Sequence, residues 1–435
     1  VHTRINEFRG APECPCHPAR AGLEVFKLVE RPDDPVRPEA TLHHHSPMKS
    51  LVFGLLTSVA ASCATGPAAD VRLADAHATP ETRRLYHNLQ TLQGKALLFG
   101  HQDTLNYGYR WTEAELAPGE LRSDVKDVTG SFPSVYGFAV NLVADLTWSY
   151  AQREAAVATQ LERDRGIHRR GGLITYEWHM YHPASGKSFY DTSAVVHRII
   201  PGGDLHHVLK ASLDQAADYF NRLAPIPVIY RPWHEHNGDW FWWCKGSTSE
   251  QDFIALWRFT VDYLKNEKKV HNLIYAYSPD RSRIDLDAFE PGYLWGYPGD
   301  DYVDLMGLDN YWDLGHPGNK ASPEHQLADF RRSLESTVRL ADRRGKIAAL
   351  TEAGREAVPH PTWWTDVLLS SILHNETTKR LLYVLVWRNA NREREGRDHY
   401  YAPYPGQVSA ENFVRFRNHP FVWFEDELPD LYGRD

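Results

Sequence analysis

Eight times between residues 95 and 389, a short apolar run rich in β-branched and aromatic residues leads into a polar loop and then a stretch of helical period. The runs are Lys95–His101, Pro133–Val140, Gly172–His179, Pro227–Glu235, Asn272–Ser278, Asp304–Trp312, Lys346–Gly354 and Leu381–Asn389. Between them, positions such as Phe253, Leu256, Trp257 and Val261, or Leu327, Phe330, Leu334 and Val338, repeat at the spacing of a helix with one buried face. Strands that alternate with helices pair in parallel, because each helix carries the chain back to the starting end of the sheet. Eight such units close on themselves. The expected fold is therefore α/β, a single (β/α)8 barrel over residues 80–435.

The start of the chain follows another logic. Residues 1–47 show neither period and are rich in Pro, Arg and His, which reads as upstream translation or a disordered extension. Met48, Lys49 and Ser50 then precede the apolar run Leu51–Ala61 and small residues up to Cys63, the layout of an export signal. That run is too short for a stable membrane-spanning helix. Ala60-Ala61-Ser62-Cys63 resembles a lipoprotein cleavage box, with Ala60 where Leu is usual. Membrane attachment through a lipidated Cys63 is expected, with simple cleavage nearby as the alternative. Residues 64–79 read as a tether, and Pro80 suits the first turn of a helix that opens the domain. The expected location is periplasmic, at the outer membrane as a lipoprotein, or extracellular. With Cys14, Cys16 and Cys63 in the processed segment, Cys244 alone is left in the body, so no internal disulfide or cysteine-based zinc site is expected there.

Polar residues gather at the C-terminal ends of the runs: His101, His179, His234 with Glu235, Asp280, Asp309 with Tyr311, Glu352, and Trp387 with Arg388. Active sites of barrels of this kind sit on that face. Two of these residues, Glu235 and Glu352, end runs four and seven, which lie across the mouth of an eight-stranded barrel. Glycoside hydrolysis needs such a pair: one carboxyl group protonates the leaving oxygen, and the other attacks the anomeric carbon or activates water. The chain also carries 14 Trp and 22 Tyr, whose flat faces stack on sugar rings. Trp233, Trp240, Phe241, Trp242 and Trp243 crowd Glu235 in sequence; Trp240 is expected in the site and Trp233 in the core.

The stretch RPWHEHNGDWFWW at 231–243 resembles the acid/base segment of glycoside hydrolase family 26, best known for β-mannanases. LLFGHQD at 97–103, WHM at 178–180, YPGDDYVDLMGLDNYW at 297–312, TEAG at 351–354 and WRN at 387–389 are similar to the same family. The resemblance implies a retaining, double-displacement hydrolase of β-1,4-mannan, glucomannan or galactomannan. Glu235 would be its acid/base and Glu352 its nucleophile. It further implies that His234 contacts the sugar or orients the nucleophile, and that Tyr311 hydrogen-bonds Glu352. His179 and Trp240 would shape the subsite of the covalently bound sugar, Trp387 would floor it, and Arg388 would reach the next sugar outward. His101, at the end of run one, is a further substrate-binding candidate. Two departures stand beside the motif: Cys244, where Gly is expected, and His236, where Met is common.

A net charge of −9 argues against nucleic acid as a partner, and a monomer without cofactor or metal is expected. Three other readings compete. The same fold serves mixed-linkage β-glucanases and β-1,3-xylanases. A surface lipoprotein that binds glycan without cleaving it would use the same aromatics. A metal-dependent hydrolase would use His234 and His236, which share one face if the run continues as a strand.

Overall fold

The computed structural model describes residues 71–117 and 119–433. The expected export signal and lipidation box, with Cys63, lie outside the described residues. Eight parallel strands form the barrel: β1 (Leu97–Gln102), β2 (Val135–Ala139), β3 (Leu173–Glu177), β4 (Val228–Arg231), β5 (Leu273–Tyr277), β6 (Leu305–Asn310), β7 (Ile347–Ala353) and β8 (Tyr383–Val386). Each pairs with the next, and β8 closes on β1 with Leu98 opposite Tyr383 and His101 opposite Val386. Helices such as Tyr150–Arg170, His206–Leu223, Glu250–Asp262 and Pro323–Arg343 run between the strands. Ser149, Ser249 and Ser322 cap three of them by accepting from backbone N–H groups that the first turn leaves unpaired.

Strand alternation divides the core in two. Leu98, Val135, Leu173, Ile229, Ile274, Leu305, Ile347 and Leu385 fill the barrel, while their neighbours Phe99, Tyr136, Ile174, Tyr230 and Leu350 pack outward. The helix Pro80–Leu92, capped by Thr79, belongs to the inner cluster through Leu85, Tyr86, Leu89 and Leu92. A short strand near the C-terminus, β9 (Val422–Trp423), pairs in parallel with the first residues of β1, where β2 does not reach: β2 begins its pairing only at Gly100.

Two boundaries need correcting. Residues 71–79 were expected to belong to a tether, but Leu73, Ala74, Asp75 and Ala78 are buried. Ala74 N–H donates to Asp304 at 2.6 Å, and Asp75 Oδ2 lies 2.7 Å from His271 Nδ1. Small residues without a period conceal this, since the segment joins the core through a few scattered apolar residues and is fixed by hydrogen bonds. Run four was expected to reach Glu235, but β4 stops at Arg231. Pro232 has no N–H to continue the ladder, and Trp233 and Glu235 turn left-handed at φ 51° and 53°.

Candidate active site

Glu235 therefore stands on a turn, not a strand. A left-handed backbone costs a bulky residue about 1–3 kcal/mol, so the surroundings must impose it. Glu235 N–H donates to Ser278 O at 2.8 Å, and its carbonyl accepts from Gly238 N–H at 3.0 Å and from the Cys244 thiol at 3.2 Å. Trp243 Nε1–H donates to His234 O at 2.8 Å, and the Asn237 amide exchanges two bonds with the backbone of Asp280. The side chain of Glu235 is buried at 1% exposure, and Trp240 Nε1–H donates to its Oε2 at 2.8 Å. Gly238 makes this possible: a Cβ there would sit 2.6 Å from the Trp240 ring. Trp240 is partly exposed, whereas Trp233, Phe241, Trp242 and Trp243 are wholly buried.

Glu352 reaches the site by a different device. Register shifts on both sides of β7 show an extra residue near Thr351 and Glu352: Leu308 faces Leu350, yet Asp309 faces Glu352. A bulge of this kind re-aims side chains, and here it directs two neighbours to the same side. Thr351 Oγ1–H donates to Asp309 Oδ1 at 2.6 Å, while Glu352 accepts from Tyr311 O–H at 2.9 Å and from Arg231 Nη2. Arg231 Nη1 also donates to Asp309 Oδ2 at 2.7 Å and to Ser278 Oγ at 3.1 Å. Burial pushes the Asp309 carboxyl well above its usual range; Arg231 opposes this and Glu352 adds to it. Burial works against the charge of Arg231, but Asp309 and then Glu352 hold its pKa above the ordinary value. One oxygen each of Glu235, Asp309 and Glu352 lie within 4.8 Å of one another.

His179, His234 and Trp387 form one wall beside the pair. The His179 ring is edge-on to His234 at 4.6 Å, to Phe241 at 5.4 Å and to Trp387 at 6.1 Å between centroids. The Arg388 guanidinium donates twice to Glu395, at 2.6 and 3.1 Å, and once to Tyr107 Oη at 3.4 Å. His101 is a correction. It falls on the outward phase of β1, its Nδ1 is 2.9 Å from Thr104 Oγ1, and burial lowers its pKa to about 3. Gln102, on the inward phase, faces the barrel instead.

The pairing of His234 with His236 on one face also fails, because the segment is a turn. His236 Nε2 lies 2.7 Å from the Tyr277 hydroxyl, and its ring stacks on Phe253. Among the described residues, two sets bring metal-ligand atoms within 4.8 Å: Glu235, Asp309 and Glu352, and Glu177, His179 and His234. In the first, the Arg231 guanidinium already supplies positive charge. In the second, Nδ1 of His179 is engaged by Glu177 at 2.7 Å.

Sequence reasoning passed over Arg231 and Glu177, and gave Asp309, which it named at the end of run six, no role in the site. Each is a charged residue on the inward phase of a strand and nearly or fully buried. Alternation counted from Ile229, Leu305 and Leu173 would have found all three.

The description "Glycosyl hydrolase family 26" matches residues 74–381. A mannan endo-1,4-beta-mannosidase of Bifidobacterium adolescentis is 33% identical over 318 residues, 70% of this chain; the match spans only 30% of that relative's length. A family 26 beta-mannanase from Bacteroides ovatus superposes with a TM-score of 0.69 at 36% identity, covering 81% of this chain and 97% of that one. The catalytic domain of a family 26 endo-beta-1,4-mannanase from Bacillus sp. JAMB-750 gives a TM-score of 0.75 at 32% identity, covering 83% and 96%. With the barrel, the two facing glutamates and the motif around Glu235 in agreement, the chain belongs to glycosyl hydrolase family 26.

Proposed function

We propose that this protein is a retaining endo-β-1,4-mannanase acting on mannan, glucomannan or galactomannan. The closeness of the two glutamates carries the reading. Oxygens of Glu235 and Glu352 within 4.8 Å match the roughly 5–5.5 Å of retaining pairs, not the roughly 6.5–9.5 Å that leaves room for an attacking water. The activity named for the relatives supports the substrate class.

Glu235 protonates the glycosidic oxygen as the bond breaks. Trp240 N–H occupies Oε2, so the transferable proton belongs on Oε1. Glu352 attacks the anomeric carbon; Arg231 and Tyr311 each donate to one of its oxygens, which fixes its direction. Water activated by the deprotonated Glu235 then hydrolyses the glycosyl-enzyme, and two inversions give net retention.

Product profiles from mannan and from barley-type β-glucan, with the anomer followed by NMR, test this reading. Faster release from mannan with the β-anomer first is expected. Faster release from β-glucan or β-1,3-xylan overturns the substrate, an α-anomer overturns the mechanism, and no reducing sugar from any polysaccharide returns the non-catalytic reading.

Export and lipid anchoring complete the proposal, supported by the residue pattern at 48–63. Expression from Met48 should give membrane-associated protein, and Cys63→Ser soluble extracytoplasmic protein. Unchanged fractionation of that variant refutes the anchor.

A further inference from the structure

We propose that Arg283, on the loop after β5, is a positioning residue that holds the Trp240 indole against Glu235. Trp240 is partly exposed and is carried by neither a strand nor a helix. Its Nε1–H donates to Glu235 Oε2 at 2.8 Å, so an indole free to swing would leave that carboxyl group unaimed. Phe241 meets the ring edge-on at 6.2 Å between centroids, and the Arg283 guanidinium lies 5.4 Å from the ring centroid. A cation within about 6 Å of a ring face is attracted by the ring quadrupole, and Trp is the best aromatic partner.

The guanidinium is itself held over the ring. Arg283 Nη2 donates at 2.7 Å to Oδ1 of Asp239, the residue before Trp240. The two side chains are 45% and 62% exposed, and such a pair is weak where two free side chains must be brought together. Here the two loops are already joined, since the Asn237 amide exchanges bonds of 2.8 and 2.7 Å with the backbone of Asp280. Each loop is also closed on itself. Gly246 N–H donates to Gly238 O at 3.1 Å, and a Cβ at Gly246 would lie 2.8 Å from the Cβ of Asp239. On the other side, Ser282 N–H donates to Asp280 Oδ1 at 2.7 Å and Ile284 N–H to Arg281 O at 3.1 Å. Asp239 and Arg283 thus start from fixed backbones, and together they clamp Trp240 between the β4 and β5 loops. The clamp acts on proton transfer by Glu235, which a sugar leaving group needs and a good aryl leaving group does not.

The proposal rests on the glycoside hydrolase reading for its effect on turnover, and the test separates the two. In protein labelled with fluorotryptophan, with Trp240→Phe used for assignment, the fluorine NMR signal of Trp240 should shift or broaden in Arg283→Ala. An unchanged signal overturns the proposal, whatever the enzyme cleaves. In turnover, Arg283→Ala should lower kcat/KM on mannopentaose about three- to tenfold. On a dinitrophenyl mannobioside, whose kcat/KM reports a first step that needs no proton, the loss should stay below about twofold. Because Arg283 acts through the indole N–H, adding Arg283→Ala to Trp240→Phe should lower kcat/KM on mannopentaose by less than about twofold more. Unchanged turnover of mannopentaose, equal losses on the two substrates, or a full further loss in the Trp240→Phe background overturns it. Wild-type protein that releases no sugar from mannan or β-glucan overturns the functional reading instead, and the fluorine signal then decides alone whether Arg283 holds Trp240.

Discussion

Arg231, the last residue of β4, donates through Nη2 to Oε1 of Glu352 on β7, and its other terminal nitrogen donates to Asp309 on β6 at 2.7 Å. One guanidinium thus serves two carboxylates, all three groups being at most 3% exposed. A buried ion pair returns little net stability, but breaking one is costly because a charge is left without a partner. Arg231→Met should therefore destabilise the protein by about 3–5 kcal/mol and abolish most activity. Asp309→Asn added to it should restore part of the stability by removing one stranded charge. Thermal denaturation checks both; a double variant less stable than Arg231→Met contradicts the shared-cation account.

The two glutamates should separate by substrate. Glu235→Ala and Glu352→Ala should each lower activity on polysaccharide by orders of magnitude with the fold intact. On an aryl mannoside with a good leaving group, the first step should survive in Glu235→Ala and stay dead in Glu352→Ala. Azide should rescue the former with retained configuration. An inverted azide product would reverse the roles assigned here.

Tyr311 touches the reacting carboxylate through one atom. Tyr311→Phe removes its hydroxyl, which donates to Glu352 Oε2 at 2.9 Å, and leaves the ring packed on Tyr401 at 5.5 Å between centroids. The loss of one bond to a charged group is worth about 1.5–3 kcal/mol, or roughly ten- to a hundredfold in kcat. Steady-state kinetics beside a melting curve check this; a large fall in stability with unchanged kcat would make the hydroxyl structural only.

His236 should set part of the acid limit. Burial lowers its pKa from 6.5 to about 3, so the folded protein keeps it neutral while the unfolded chain takes up a proton. Its contribution to stability is present above pH 6.5 and is lost as the pH falls towards 3. At pH 4.5 that loss is about 2–3 kcal/mol. Asp164 and Asp304, both raised to about 6 mainly by burial, act in the opposite sense: their contribution is full below about pH 4 and is lost as the pH rises through 6. His236→Met removes only the first effect, and Met can pack on Phe253 and Trp295, which the imidazole now faces. The variant should gain thermal stability relative to wild type at pH 4.5 and not at pH 7.5. A parallel fall of both proteins with acidification would refute the assignment.

Much of the barrel is written in local pattern. The expected run Lys346–Gly354 contains β7 at Ile347–Ala353, and Gly172–His179 contains β3 at Leu173–Glu177. Each of these strands packs a face against the helical layer and a face against the barrel interior. That demands an almost unbroken apolar stretch. The helical period is equally local, and so is the polar rim, because only the C-terminal strand ends tolerate residues such as Glu235 and Glu352 in such number.

What the sequence by itself determined was the set of strands, the helices between them, and the two facing carboxyl groups. Only the tertiary structure decided how those groups are aimed. The left-handed turn at Trp233 and Glu235 is imposed by hydrogen bonds with Ser278, Cys244 and Asp280, all outside β4. The bulge in β7 depends on its pairing with β6 and β8, and it brings Thr351 and Glu352 to one side where alternation alone would divide them. His101 shows the reverse: a polar residue at a strand end faces away from the mouth because β1 is in the other phase there. Strand identity arises from side chains a few residues apart, whereas direction at the mouth arises from contacts between residues far apart in the chain, 121 for Arg231 with Glu352 and 41 for Tyr311 with Glu352.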